Sequence, residues 1–164
     1  MAFKFNADEI LQMALQIERN GARFYRRAAE AIEDAPSEKL LRGLSAMEED
    51  HEKTFADLQA ALTPEERKDV VFDPDDENPL YLQAMADRRV FDVGADPWDR
   101  LEGTVTMEKI IALAISLEKD SIVFYEGVKE MVPERLGGTR VEDIIKEELS
   151  HIAALSNLSR CLRG

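Results

Sequence analysis

One cysteine, Cys161, is all the thiol chemistry in this 164-residue chain. It excludes an internal disulfide, and by itself it cannot build a thiolate metal site. Long apolar runs are missing too: the longest covers residues 110–115, far short of the ~20 residues that span a bilayer, so no membrane helix is expected. Basic residues are outnumbered, 21 against 34 acidic ones, and the net charge of −13 argues against nucleic acid, whose phosphates such a surface repels. The N-terminus, Met1-Ala-Phe-Lys-Phe-Asn, has no apolar region for export. With the near-absence of cysteine, it predicts a cytoplasmic protein. Glycine and proline are sparse, 8 and 6 residues, while 45% of the chain is hydrophobic. That profile belongs to a globular domain, and residues 1–164 are read as one.

What is present is helical periodicity. Asn6 with Glu9 forms a capping box ahead of a first helix over about residues 8–34, with Ile10, Leu11, Ala14, Leu15, Ile17, Phe24 and Tyr25 at helical intervals. A second helix follows over about residues 37–62. Thr63 and Pro64 predict another helix start. Residues 73–79 are acidic and proline-broken, residues 79–91 predict a short amphipathic helix, and residues 92–103 predict loop. A third helix is expected over about 106–131. Gly137-Gly138 then predicts a turn, and Thr139 with Glu142 the capping box of a fourth helix running to about 162. No segment alternates like a strand. The class is all-α: an antiparallel four-helix bundle of two hairpins, residues 7–62 and 104–162, joined by a crossover over 63–103.

Comparison of the sequence with itself at an offset of 100 gives the main result. Glu18 falls on Glu118, Phe24-Tyr25 on Phe124-Tyr125, Glu48 on Glu148 and His51 on His151. If the first turn is centred on Ala35, Glu18 lies 17 residues before it and His51 lies 16 after. At ~1.5 Å per residue both stand about 25 Å from the turn, level with each other in an antiparallel pair. The second hairpin repeats this about Arg135. A twofold axis between the hairpins then gathers all six side chains near mid-height, and the crossover carries the chain back along the bundle.

Four facing carboxylates in a core are untenable without cations, because burying a lone carboxylate costs several kcal/mol or forces protonation. Two divalent ions would balance them. Carboxylate and imidazole donors without thiolate suit iron or manganese, and Glu from two helices plus Glu-x-x-His from two others is the general pattern of ferritin-like dinuclear sites. A single Glu-x-x-His in so acidic a chain would be unremarkable. Here both histidines carry it, at matching repeat positions, and each half supplies the further Glu. The expected metal ligands are Glu18, Glu48, His51, Glu118, Glu148 and His151. Tyr25 and Tyr125, two turns along the same face, are either contacts to ligand carboxylates or core tyrosines with satisfied hydroxyls. Glu49, Asp50, Glu52 and Glu147 flank the ligands, and helical phase turns most of them away, with Glu52 or Glu147 left as an occasional extra ligand.

The segments Ile17-Glu18-Arg-Asn-Gly-Ala-Arg-Phe-Tyr25, Glu48-Glu-Asp-His51, Leu117-Glu118-Lys-Asp-Ser-Ile-Val-Phe-Tyr125 and Glu148-Leu-Ser-His151 resemble the ferritin-like diiron carboxylate proteins, and within them the rubrerythrin-like group. The resemblance implies two iron ions, with manganese or zinc as substitutes in a preparation. Glu48 and Glu148 would bridge them, Glu18 and Glu118 would be terminal, and each histidine would ligate one ion. It implies reaction with peroxide or dioxygen, as a peroxidase or ferroxidase, or alternatively iron storage. A homodimer is expected. Two departures stand out. The chain has no four-cysteine rubredoxin-like site, so electrons must come from an external donor or from ferrous iron. Ser121 stands where rubrerythrins tend to carry a further glutamate.

Overall fold

Local hydrogen bonding decides where each helix begins. The computed structural model describes residues 5–69 and 95–164. Helix α1 (Ala7–Glu30) opens on the expected capping box: Asn6 Oδ1 accepts the Glu9 amide at 2.8 Å, and Glu9 Oε2 accepts the Asn6 amide at 3.0 Å. Helix α2 (Ala35–Ala60) is capped by Asp34, whose carboxylate accepts the Ser37 amide at 3.0 Å, with Pro36 in its first turn. The first loop is therefore 31–34. Asp34, expected at the end of α1, starts α2 instead, and Ala35 is a helical residue rather than mid-turn. Helix α3 (Met107–Met131) keeps the expected bounds to within a residue, with Thr106 as its cap.

Helix α4 (Glu134–Arg163) departs from the sequence reading. Gly137-Gly138 is not a turn and Thr139 is not a cap; all three lie inside the helix. The break comes earlier because Pro133, which has no amide hydrogen, cannot extend α3. Gly137 meets a packing need. A Cβ there would stand 3.1 Å from Val132 Cγ1 and 3.6 Å from both Leu58 methyls. The new loop, Val132 and Pro133, remains equivalent to the first loop at the offset of 100.

Two further expectations need correction. Thr63 and Glu66 do form reciprocal capping bonds, of 3.2 and 2.8 Å, but only a single turn follows. That turn is tied down by its side chains: Arg67 reaches Asp8 and the Gln59 carbonyl, and Glu66 pairs with Arg135 at 2.5 Å. Within the stretch read as loop, Pro97–Arg100 forms a 3-10 turn capped by Asp96. Its Trp98 packs on Phe24 and lies beneath the Arg27 guanidinium. The short helix expected over 79–91 lies outside the described residues.

All four long elements are helices, and no strand occurs among the described residues. α1 packs on α2 and α3 on α4, with α1 against α3 and α2 against α4 across the hairpins. The interior falls into two apolar clusters. One holds Ile10, Leu11, Phe55, Leu58, Phe124 and Val128; the other holds Phe24, Ala28, Leu41, Ile110, Ile111 and Leu155. α2 finishes in the first cluster and α3 begins in the second, so the segment between them starts and ends at opposite ends of the bundle. Full burial of each Phe, Leu or Ile stabilises by roughly 1.5–3 kcal/mol. Such layers can hold a polar stratum between them.

Candidate metal centre

That polar stratum is the six-residue cluster. Glu18, Glu48, His51, Glu118, Glu148 and His151 are each at most 4% exposed. The repeat supplies two Glu-bearing positions on the hairpins' first helices and two Glu-x-x-His turns on their second. The bundle brings them together as two overlapping groups: Glu18, Glu48, His51 and Glu148 form one, and Glu48, Glu118, Glu148 and His151 the other. In each group one donor atom per residue lies within 4.8 Å of all the rest. Glu48 and Glu148 belong to both.

Distances define the symmetry. Glu148 spans the two halves, with Oε1 3.0 Å from His51 Nδ1 and Oε2 3.1 Å from His151 Nδ1. His51 Nδ1 also lies 3.6 Å from Glu18, and His151 Nδ1 lies 3.3 Å from Glu48 and 3.4 Å from Glu118. The two imidazoles stack with centroids 5.7 Å apart and planes 18° from parallel. Tyr25 donates to Glu118 and Tyr125 donates to Glu18. This reciprocal pair requires α1 and α3 to run antiparallel about a twofold axis. Of the two readings left open for the tyrosines, the contact to the carboxylates is the one observed.

Without cations the cluster is electrostatically loaded. Burial first, then repulsion from Glu48, pushes Glu148 up to about 8, and the same causes raise Glu18 well above the usual carboxylate range. Burial alone would lower the histidines. Glu148 and Glu18 outweigh it at His51, raising it to about 11, and Glu118, Glu148 and Glu48 raise His151 to about 12. Glu118 is the exception: burial raises it, but hydrogen bonds and charge from its neighbours bring it below the ordinary value. Burial followed by the nearby carboxylates raises both tyrosines, so they remain phenols that donate.

Seven buried atoms of the cluster have no hydrogen-bond partner among the described residues: Glu18 Oε2, Glu48 Oε1, both Glu148 oxygens, both Nδ1 atoms and His151 Nε2. Buried polar atoms are nearly always satisfied in native proteins. A set of carboxylate oxygens and imidazole nitrogens is what iron or manganese would satisfy. Gly21 fits the same purpose. A Cβ there would stand 2.7 Å from Glu48 Oε2, so the mid-helix glycine, which costs about 1 kcal/mol relative to alanine, makes room for that carboxylate. Gly21→Ala is expected to weaken metal binding at least tenfold. Gly43→Ala, with open space around it, should leave binding intact and stabilise by ~0.5–1 kcal/mol; metal titration and thermal melts of both variants check this.

The sequence reading missed one residue and gave another the wrong role. Gly21 was signalled only by being a glycine in mid-helix, three residues after Glu18. Glu147, weighed only as an occasional extra ligand, instead places Oε2 2.6 Å from the outer nitrogen of His51, Nε2. Asp50 stays on the surface paired with Lys53, while Glu49 pairs with Arg26 and Glu52 with Arg19. Cys161 is exposed and away from the cluster.

Bundle and cluster together define the class: a ferritin-like fold whose buried carboxylates and histidines fit a diiron site. The structure is similar to that of a ferritin-like diiron-carboxylate protein from Thermotoga maritima, with 21% sequence identity over 98% of each chain and a TM-score of 0.70, a likeness of fold. The model of the Rubrerythrin family matches residues 9–159, and the chain belongs to that family. A search of curated proteins gave no match.

Proposed function

We propose that the cluster holds two iron ions and that the loaded centre reacts with peroxide or dioxygen, as a peroxidase or ferroxidase. The observation that carries this reading is the shared position of Glu148, one oxygen toward each histidine, within two four-residue groups that overlap at Glu48 and Glu148. Glu48 and Glu148 would be shared between the two ions, Glu18 and Glu118 would each serve one, and His51 and His151 would each offer one ion its Nδ1. When bound, an iron pair supplies two electrons at one place.

The chain's own residues do the rest. Tyr125 and Tyr25 hold the terminal carboxylates in orientation across the bundle. The apolar clusters on either side keep bulk water from the centre. The histidines and Glu148 carry protons in the metal-free protein and give them up on loading, since ligands must be deprotonated. Cys161 is the chain's one cysteine, so reducing electrons come from an external donor, or from ferrous iron itself as substrate.

The test is anaerobic loading with ferrous iron, followed by rapid mixing with peroxide or with air-saturated buffer while near-ultraviolet absorption is monitored. A peroxidase oxidises at least tenfold faster with peroxide; a ferroxidase responds to dioxygen and goes on to consume added ferrous iron. A loaded protein inert to both oxidants would refute the redox reading. Many irons per chain in a large assembly would assign the protein to storage instead.

A further inference from the structure

The twofold symmetry of the cluster breaks at one point just outside it. His51 Nε2 lies 2.6 Å from Glu147 Oε2, whereas His151 Nε2 is buried without a hydrogen-bond partner among the described residues. The offset of 100 explains the difference: the position equivalent to Glu147 in the first hairpin is Met47, whose thioether is at best a weak acceptor. The surroundings differ in the same sense. A groove of about 430 Å³ between α2 and α4 reaches His51 and is lined by Asp50, Asp143, Arg140 and Glu147. The positions equivalent to Asp50, Asp143 and Arg140 in the other half are Ser150, Gly43 and Leu40.

A neutral imidazole carries one N–H, and the hydrogen bond made by one ring nitrogen decides which nitrogen keeps a lone pair. Once His51 gives up its second proton on loading, Nε2–H stays with Glu147, and the lone pair is left on Nδ1, which faces Glu18 and Glu148. Nothing fixes that choice in His151. Carboxylate partners of this kind make a ligating histidine more basic, and losing them typically costs 10–100-fold in metal affinity. Resting on the metal-pair reading above, we infer that Glu147 is a positioning residue that makes the two metal positions unequal. The group of Glu18, Glu48, His51 and Glu148 fills first, and the group containing His151 fills second.

The test is anaerobic titration of the metal-free protein with cobalt(II), followed by visible absorption and calorimetry. The cobalt-loaded protein is also examined by proton NMR for the shifted, exchangeable imidazole N–H resonances. The wild type should bind two ions in steps separated by ~10–100-fold, with one slowly exchanging N–H belonging to His51. Glu147→Met should weaken the first step until the two merge and should speed exchange of that N–H. Glu147→Gln keeps an acceptor oxygen and should retain the order with a smaller gap. Met47→Glu should tighten the second step and protect a second N–H. Glu147 is half-exposed and Met47 is partly exposed at the edge of the same groove, so neither site belongs to the buried core.

Two equal ions in the wild type, or unchanged steps and unchanged N–H exchange in Glu147→Met, overturn this inference and leave the metal pair standing. Binding of no cobalt, or binding indifferent to Glu48→Gln, overturns the metal pair and the inference with it.

Discussion

Glu48→Gln is expected to abolish two-ion binding while making the metal-free protein more stable. The opposite signs follow from the position of Glu48. It belongs to both ligand groups, so neutralising it weakens both ions, whereas Glu18→Gln touches only one group. Glu48 is also the chief like-charged neighbour raising Glu148 and Glu18. Its neutral isostere relieves that repulsion at nearly constant volume and keeps an acceptor oxygen for the protonated His151, a net gain of about 1 kcal/mol in the metal-free state. In the wild type, two ions at a free concentration of 100 times each dissociation constant would together stabilise by ~5 kcal/mol. Urea denaturation with and without metal reads both effects. If Glu48→Gln lowers metal-free stability and leaves the metal-induced gain intact, Glu48 is a packing residue and the reading of the cluster fails.

The second large effect is a dependence on pH that metal reverses. Glu148 sits at about 8 in the folded protein against ~4.3 in an unfolded chain, so the folded state binds the extra proton between those values and loses stability as pH rises through them. His51 and His151, at about 11 and 12 against ~6.5 unfolded, contribute stability that is complete below pH ~6.5 and is lost as pH rises toward their folded values. The two ranges overlap between pH ~6.5 and 8, where the three groups together should cost the metal-free protein roughly 5 kcal/mol. Glu118, held below its usual value, contributes in the opposite sense only at acid pH. Metal competes with these protons, so loading should release them and the loaded protein should gain stability over the same range. Denaturation at pH 6, 7 and 8 with chelator or with metal measures it. Parallel pH profiles in the two states would show that the protons and the metal do not share these ligands.

The repeat made most of this legible. An offset of 100 residues that aligns two Glu-x-x-His turns and two further glutamates specifies a bundle with a polar middle, because no other arrangement of four amphipathic helices buries those residues together. The loops were less legible. Gly137-Gly138 has the composition of a turn, but Pro133 had already broken the chain, and the glycine answers to the methyls of Leu58 and Val132. Thr63 and Glu66 carry a capping box and make its hydrogen bonds, yet a cap states where a helix could start, not that packing will sustain one. The contact of Glu147 with a histidine escaped because helical phase places only the Cβ. A glutamate on the shoulder of α4 can still reach the outer nitrogen of a histidine on α2. Gly21 escaped because its purpose lies in the space it leaves for a side chain 27 positions away.

The most direct test of the central claim is a crystal structure of protein loaded with ferrous iron under anaerobic conditions, with anomalous diffraction recorded on both sides of the iron edge. The account predicts two iron peaks per chain. One should lie among Glu18, Glu48, His51 and Glu148, the other among Glu48, Glu118, Glu148 and His151, with Glu48 and Glu148 touching both. A single peak, or iron only on the acidic surface with the cluster empty, would contradict it.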